Sequence, residues 1–235
     1  MMWDGKRKSV TFSFDDGVLQ DERAIEILNR HGLKATFNLN SSLLGLKGTL
    51  TVGGVEVDHS KIRPDRVGEV YRDHEVAVHT LTHPLLPALD DATIVWQVEQ
   101  DRRALSALCG REVVGMAYPC GGVNHDERVA QVLRARTGVS YSRTITSTHD
   151  FAPQQDLLCF NPSAHYVEGC LFDVAERFLR ARPGDVPLTL YIWGHTYEMD
   201  ADCGMNWQDF DRLCALLGGR KEIFYGTNAE VLLGK

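Results

Sequence analysis

The sequence predicts an α/β protein built on a parallel sheet, and three observations predict it. Strand-like apolar runs alternate with amphipathic helix-like runs along the whole chain, about seven such units fit, and the chemically unusual segments fall where strands end. The first unit begins with SVTFSF, continues with an amphipathic stretch around Asp21–Arg30, and passes through the helix stop His31-Gly32 into LKATFNLN. EVAVHT follows, then a helical pattern from about Ala92 to Leu108, the run VVGMAYP, a helix near Glu127–Arg136 and GVSYSR. The later part adds a helix near Phe172–Arg182, the apolar strand LTLYIWG, a helix near Trp207–Leu217 and the short strand EIFYG. Between the second and third units, GTLTVGGVEVD alternates β-branched residues around Gly53-Gly54, which reads as a small hairpin insertion. No fixed-period repeat, low-complexity tract or long linker divides the chain, so residues 1–235 are expected to form a single domain.

Composition excludes several classes. Apolar residues make up 43% and charged residues 24%, close to the soluble globular average, which argues against disorder, collagen and coiled coil. A formal net charge of -7 offers no electrostatic footprint for nucleic acid or anionic membrane. The start MMWDGKRKSV has no apolar h-region, and no run of 18 apolar residues occurs, so membrane insertion is not expected and a cytoplasmic protein is. Six cysteines without any C-x-x-C pair read as free thiols in a reducing compartment.

Three segments carry the chemistry, each at the carboxyl end of a strand-like run, where active sites of parallel α/β barrels gather. In FSFDDG, Asp15 and Asp16 are adjacent carboxylates that repel each other, so a cation or shared proton is needed to keep both there. Alone, Asp-Gly is equally a common turn. In HTLTHP, His79 and His83 stand four residues apart, a spacing that on a helical turn converges two imidazoles on one cation. In YIWGHTYE, His195 follows the most apolar strand of the second half, where an imidazole can act as general acid. The segment AYPCGG supports these: Tyr118-Pro119 bends the chain, and the backbone amides that follow can face a developing oxyanion.

TFSFDDG, HTLTHP, MAYPCG and YIWGHTYE, in this order, resemble the motifs of the polysaccharide deacetylase family, carbohydrate esterase family 4, over about Val10 to Leu233. The resemblance implies a distorted, incomplete (β/α) barrel. It places a general base on Asp15, metal ligands on Asp16, His79 and His83, a general acid on His195, and an oxyanion-stabilising amide on Cys120. It implies metal-assisted removal of an acetyl group from an N-acetylated sugar or glycan, with zinc the first choice of a divalent metal. Tyr118, Pro119, Trp193, Asn38 and Glu198 are the candidate substrate contacts, Asn38 as a polar group directed into the cleft. Three departures stand out, the first being Cys120 where an aromatic commonly follows the proline. Ala117 replaces the arginine that many members use to orient the base, and no aspartate-and-tryptophan motif occurs between the third and last motifs. Two other readings compete: an amide or cyclic-imide hydrolase on the same scaffold, and a non-catalytic carbohydrate-binding relative. The intact set of Asp16, His79 and His83 weighs against a metal-free version of the first, and the joint presence of Asp15, Asp16, His79, His83 and His195 weighs against the second.

Overall fold

The computed structural model describes residues 2–234. In chain order its elements are β1 (Lys8–Asp15), α1 (Asp21–Arg30), β2 (Ala35–Leu39), β3 (Thr49–Val52), β4 (Val55–Asp58), α2 (Val67–Val70), β5 (Glu75–Val78) and α3 (Asp91–Cys109). They continue with β6 (Gly115–Ala117), α4 (Glu127–Arg136), β7 (Tyr141–Arg143), β8 (Ala164–His165), α5 (Leu171–Arg180), β9 (Leu188–Gly194), α6 (Trp207–Leu217), β10 (Ile223–Tyr225) and α7 (Asn228–Leu233).

One parallel sheet runs β7-β6-β5-β2-β1-β9-β8, and β10 pairs with β1. β1 is long enough to hold two partners on one side: β10 aligns with Lys8 to Val10 and β2 with Phe12 to Asp15. A parallel bridge between Arg143 and Phe160 ties the β7 edge to the segment that leads into β8. The sheet is therefore a curled, incomplete (β/α) barrel of seven strands in its main path. β3 and β4 form the expected antiparallel hairpin apart from it.

The sequence of β1 explains which way its chemistry points. Successive side chains of a strand face opposite sides. Val10, Phe12 and Phe14 face outward, and both phenylalanine rings meet Phe210 of α6 edge-on at 6.1 and 5.8 Å. The intervening Ser9, Thr11, Ser13 and Asp15 face the barrel interior, which is polar. Ser9 meets Thr189, and Thr11 donates to Asn228 at the start of α7. Asn228 in turn takes Thr36 and Tyr191 as partners, so α7 closes the amino end of the barrel. The opposite end stays open.

The helices are set by local signals. Asp90 caps α3 by accepting from the Thr93 amide, left-handed Gly110 ends it, and Asp126 caps α4 through Val129. Such caps contribute about 1 kcal/mol each. Among the described residues no helix is long and apolar enough to cross a membrane.

Candidate active site

Strand alternation delivers Asp15, the last residue of β1, to the open end with 2% of its surface exposed. An Arg143 Nη2 donates to its Oδ2 at 2.5 Å, and Asn38 Nδ2 donates to its Oδ1 at 2.8 Å. Arg143 is itself fully buried, and its guanidinium lies 4.3 Å from the centre of the Trp193 ring. His79 Nε2 and His195 Nε2 each stand 3.9 Å from Asp15 Oδ2. Burial pushes the Asp15 carboxyl up, but the charge of Arg143, with that of His195, outweighs it and holds the group below its ordinary value.

Asp16 takes a left-handed backbone, φ 84°, and Gly17 follows at φ 64°, where a β-carbon would meet Leu39 Cδ2 at 2.7 Å. An extended strand would send adjacent Asp15 and Asp16 to opposite faces, and this tight turn instead keeps both carboxylates at the open end, 3.9 and 4.0 Å from His79 Nε2. Asp16 Oδ1 looks toward His83 Nε2 at 3.7 Å, Lys61 Nζ at 3.8 Å and His79 Nε2 at 4.0 Å. Its Oδ2 meets His59 Nε2 at 3.2 Å.

The two histidines do not lie on a helical turn as their spacing suggested. The segment is irregular, with Thr80 at φ 68° and His83 at φ 60°, and these left-handed residues fold it so that the two rings approach edge-on at 4.8 Å. His79 Nδ1 faces the Ala117 carbonyl at 2.9 Å; since a carbonyl only accepts, Nδ1 carries the proton and Nε2 presents its lone pair. Burial pulls its pKa down to about 4, so the ring is neutral at physiological pH. Asp101 fixes this backbone by accepting from the amides of Ser41 and His79. One ligand atom each from Asp16, His79 and His83 lies within 4.8 Å of the others. A carboxylate and two imidazoles, one of them held neutral with its free nitrogen inward, suit a divalent transition metal.

His195 leaves the end of β9 with its Nδ1 3.2 Å from Glu198 Oε2. The same carboxylate accepts from the His195 amide at 3.1 Å and lies 3.3 Å from His165 Nε2. Burial lowers the His195 pKa, but the carboxylate charge of Glu198 close beside the ring reverses this and raises it to about 9. The 3.9 Å approach of His195 to Asp15 makes them an ion pair, closer than two groups standing apart on either side of a substrate.

Tyr118, Cys120, Trp193 and Tyr197 line, with the groups above, a cavity of about 230 Å³. Trp193 Nε1 is buried there without a partner, while the Tyr118 hydroxyl is occupied by the Leu158 carbonyl. Cys120 is left-handed at φ 67°, and among the described residues its amide has no backbone acceptor. Pro119 is buried beside it in the turn. A second cavity of about 460 Å³, lined by Leu43, Leu46, Leu50, His59 and Lys61, shares Asp16, His83 and Tyr197 with the first.

Asn38 does not project into the cleft. It is fully buried and gives its amide to Asp15, Ser13 and the Phe14 carbonyl, because its register opposite Asp15 on β2 turns it to the barrel interior. Glu198 likewise sits behind His195 and does not line the cavity. Sequence reasoning missed Arg143, His59, Lys61 and His165. Only Arg143 left a trace: the expected arginine was absent at Ala117, and β6 and β7 align with Ala117 directly beside Arg143.

Polar groups gathered at the carboxyl ends of a parallel barrel sheet place the protein among the barrel folds whose active sites lie at that end. The sequence model described as polysaccharide deacetylase matches residues 4–139, more than half of the chain, and the chain belongs to that family. A chitooligosaccharide deacetylase of Rhizobium leguminosarum bv. trifolii is 29% identical over 122 residues, 51% of this chain and 49% of that protein. This chain thus matches about half the length of that relative. The T48 deacetylase solved with substrate has a similar fold, with a TM-score of 0.60 at 14% identity, covering 100% of this chain and 95% of that one. A family 4 carbohydrate esterase pseudoenzyme from Bacillus anthracis is also similar, with a TM-score of 0.56 at 18% identity over 97% and 66% of the two chains.

Proposed function

We propose that this chain, as one catalytic domain, removes the acetyl group from an N-acetylated sugar or glycan of the chitooligosaccharide type. The observation that carries the reading is the gathering of Asp16, His79 and His83 beside an ionised Asp15 and a cationic His195. Asp16, His79 and His83 would hold a divalent metal, zinc in the first place, whose chemistry when bound is Lewis acidity toward a carbonyl oxygen and toward water.

The chain's own residues divide the proton work. Asp15, kept anionic by Arg143 and oriented by Asn38, takes a proton from the attacking water. His195, kept protonated by Glu198, gives one to the departing amine nitrogen. The Cys120 amide, without a backbone acceptor among the described residues, would donate to the acyl oxygen, and Trp193 Nε1, buried without a partner, to a substrate acceptor. The adjoining second cavity gives room for the part of the substrate beyond the reacting sugar.

The test is chemical. Acetate release from N-acetylated chitooligosaccharides is measured with zinc-loaded protein, with chelator-treated protein, and with Asp15→Asn. The reading requires release that chelation abolishes and zinc restores, with Asp15→Asn lowering it about 10²–10⁴-fold. Binding of the sugars without acetate release by any metal-loaded form would refute it.

A further inference from the structure

A second group of ligating side chains lies away from the catalytic cavity. His149 follows β7 in an irregular loop, Glu168 lies in the turn after β8, and Cys170 immediately precedes α5. We propose that these three residues form a second metal site, suited to zinc.

The geometry is that of ligands around a point. Cys170 Sγ lies 3.7 Å from His149 Nε2 and 3.7 Å from Glu168 Oε2. Zinc–sulfur and zinc–nitrogen bonds of about 2.3 and 2.0–2.1 Å at a tetrahedral angle put those atoms roughly 3.6 Å apart. His149 Nε2 and Glu168 Oε2 are 2.5 Å apart and would open by roughly 0.9 Å to admit the ion, a shift within reach of two partly exposed side chains. All three act through atoms that face one another. The imidazole does not bridge the thiol and the carboxylate through its two nitrogens, as it would in a nucleophilic triad, because the same Nε2 meets both.

The surroundings hold the ligands in place. Glu168 uses its other oxygen, Oε1, to accept from the Ser147 hydroxyl and the His165 amide, which leaves Oε2 for the ion. The His149 backbone is held at both ends, its amide by the Ser163 carbonyl and its carbonyl by Arg177. Arg177 is the nearby cation, and its guanidinium lies on the Phe151 ring, directed at the carbonyl and away from the ligand atoms. On binding, the Cys170 thiol releases its proton to solvent, and thiolate plus carboxylate then match the double charge of the ion. His149 is 43% exposed, which leaves a path for entry and a face for water as fourth ligand. The ion would pin the loop of Ser147 and His149 to the turn after β8, and His165, the last residue of that strand, touches Glu198.

The experiment uses the whole chain with zinc or cobalt(II) alone. Zinc should protect Cys170, identified by peptide mapping, from a thiol reagent in the unaltered protein, and Cys170→Ser and Glu168→Gln should each lower bound zinc by one equivalent. Cobalt(II) should give a thiolate charge-transfer band that Cys170→Ser removes and Cys120→Ser keeps, which separates this site from the thiol beside His83. His79→Gln should leave the band intact. Equal reactivity of Cys170 with and without saturating zinc, together with no cobalt–thiolate band, would overturn the proposal. The unaltered protein supplies both of those readouts, so neither depends on a variant folding.

Discussion

Replacing Glu198 by glutamine tests whether His195 works as an acid and what keeps it charged. Glu198 is the main influence that raises the His195 pKa to about 9 against the pull of burial. Glutamine keeps the size and an acceptor oxygen but removes the charge, so the pKa should fall to its ordinary 6.5 or below. At pH 8 the protonated fraction then drops from about nine-tenths to about one-thirtieth, a loss of roughly thirty-fold in turnover, while at pH 5.5 the loss stays within about three-fold. The assay is the pH profile of kcat for acetate release, paired with an NMR titration of His195 in the metal-free protein. An alkaline limb unmoved by the substitution, or a loss equal at both pH values, would refute the reasoning. The sign for stability agrees: a group raised on folding contributes fully below 6.5 and loses that contribution as pH climbs through 9.

Other outcomes follow from the same geometry. His79→Ala and His83→Ala should each lose bound metal, measured by elemental analysis, with circular dichroism unchanged; wild-type metal content would count against the ligand assignment. Arg143→Met should lower kcat by about 10²-fold or more with little change in KM, because it disturbs the Asp15 carboxylate and not a substrate contact, and adding Ala117→Arg should recover part of the loss. Asn38→Ala should also act on kcat and leave KM near its starting value, since Asn38 touches Asp15 and lines no part of the cavity; a rise in KM alone would restore it as a substrate contact. Metal-free protein should melt at a lower temperature at pH 9 than at pH 7, because burial raises Asp21 and Asp101 to about 7 and His195 rises to about 9. A flat or rising melting temperature over that window would show that these groups do not set the slope.

Much of this was legible because the signals are local. SVTFSFD alternates polar and apolar residues, which marks both the strand and the face that Asp15 occupies, and α1, α4 and α6 begin and end where the amphipathic runs do. The hairpin announced itself by Gly53-Gly54 between β-branched runs. Strand β8, two residues long, and the six-residue α7 carry too little pattern to be read. The helical reading of HTLTHP failed for a different reason: spacing of four is compatible with any fold-back that joins two side chains, and left-handed Thr80 and His83 provide one without helix.

Arg143 shows what no local pattern can contain. Neighbouring strands of a parallel sheet lie about 4.8 Å apart, and residues in register project to the same face, so a long side chain can reach one point from either strand. Ala117 and Arg143 are in register across β6 and β7, and the guanidinium arrives at Asp15 from the second strand, where the motif resemblance led it to be expected on the first. What an ionised Asp15 requires is a buried cation at its carboxylate, because burial alone would raise its pKa, against the proposed role as base. The requirement belongs to a place in the barrel and not to a position in a motif. An alanine at 117 therefore says nothing about loss of activity until the adjacent strand has been read alongside it.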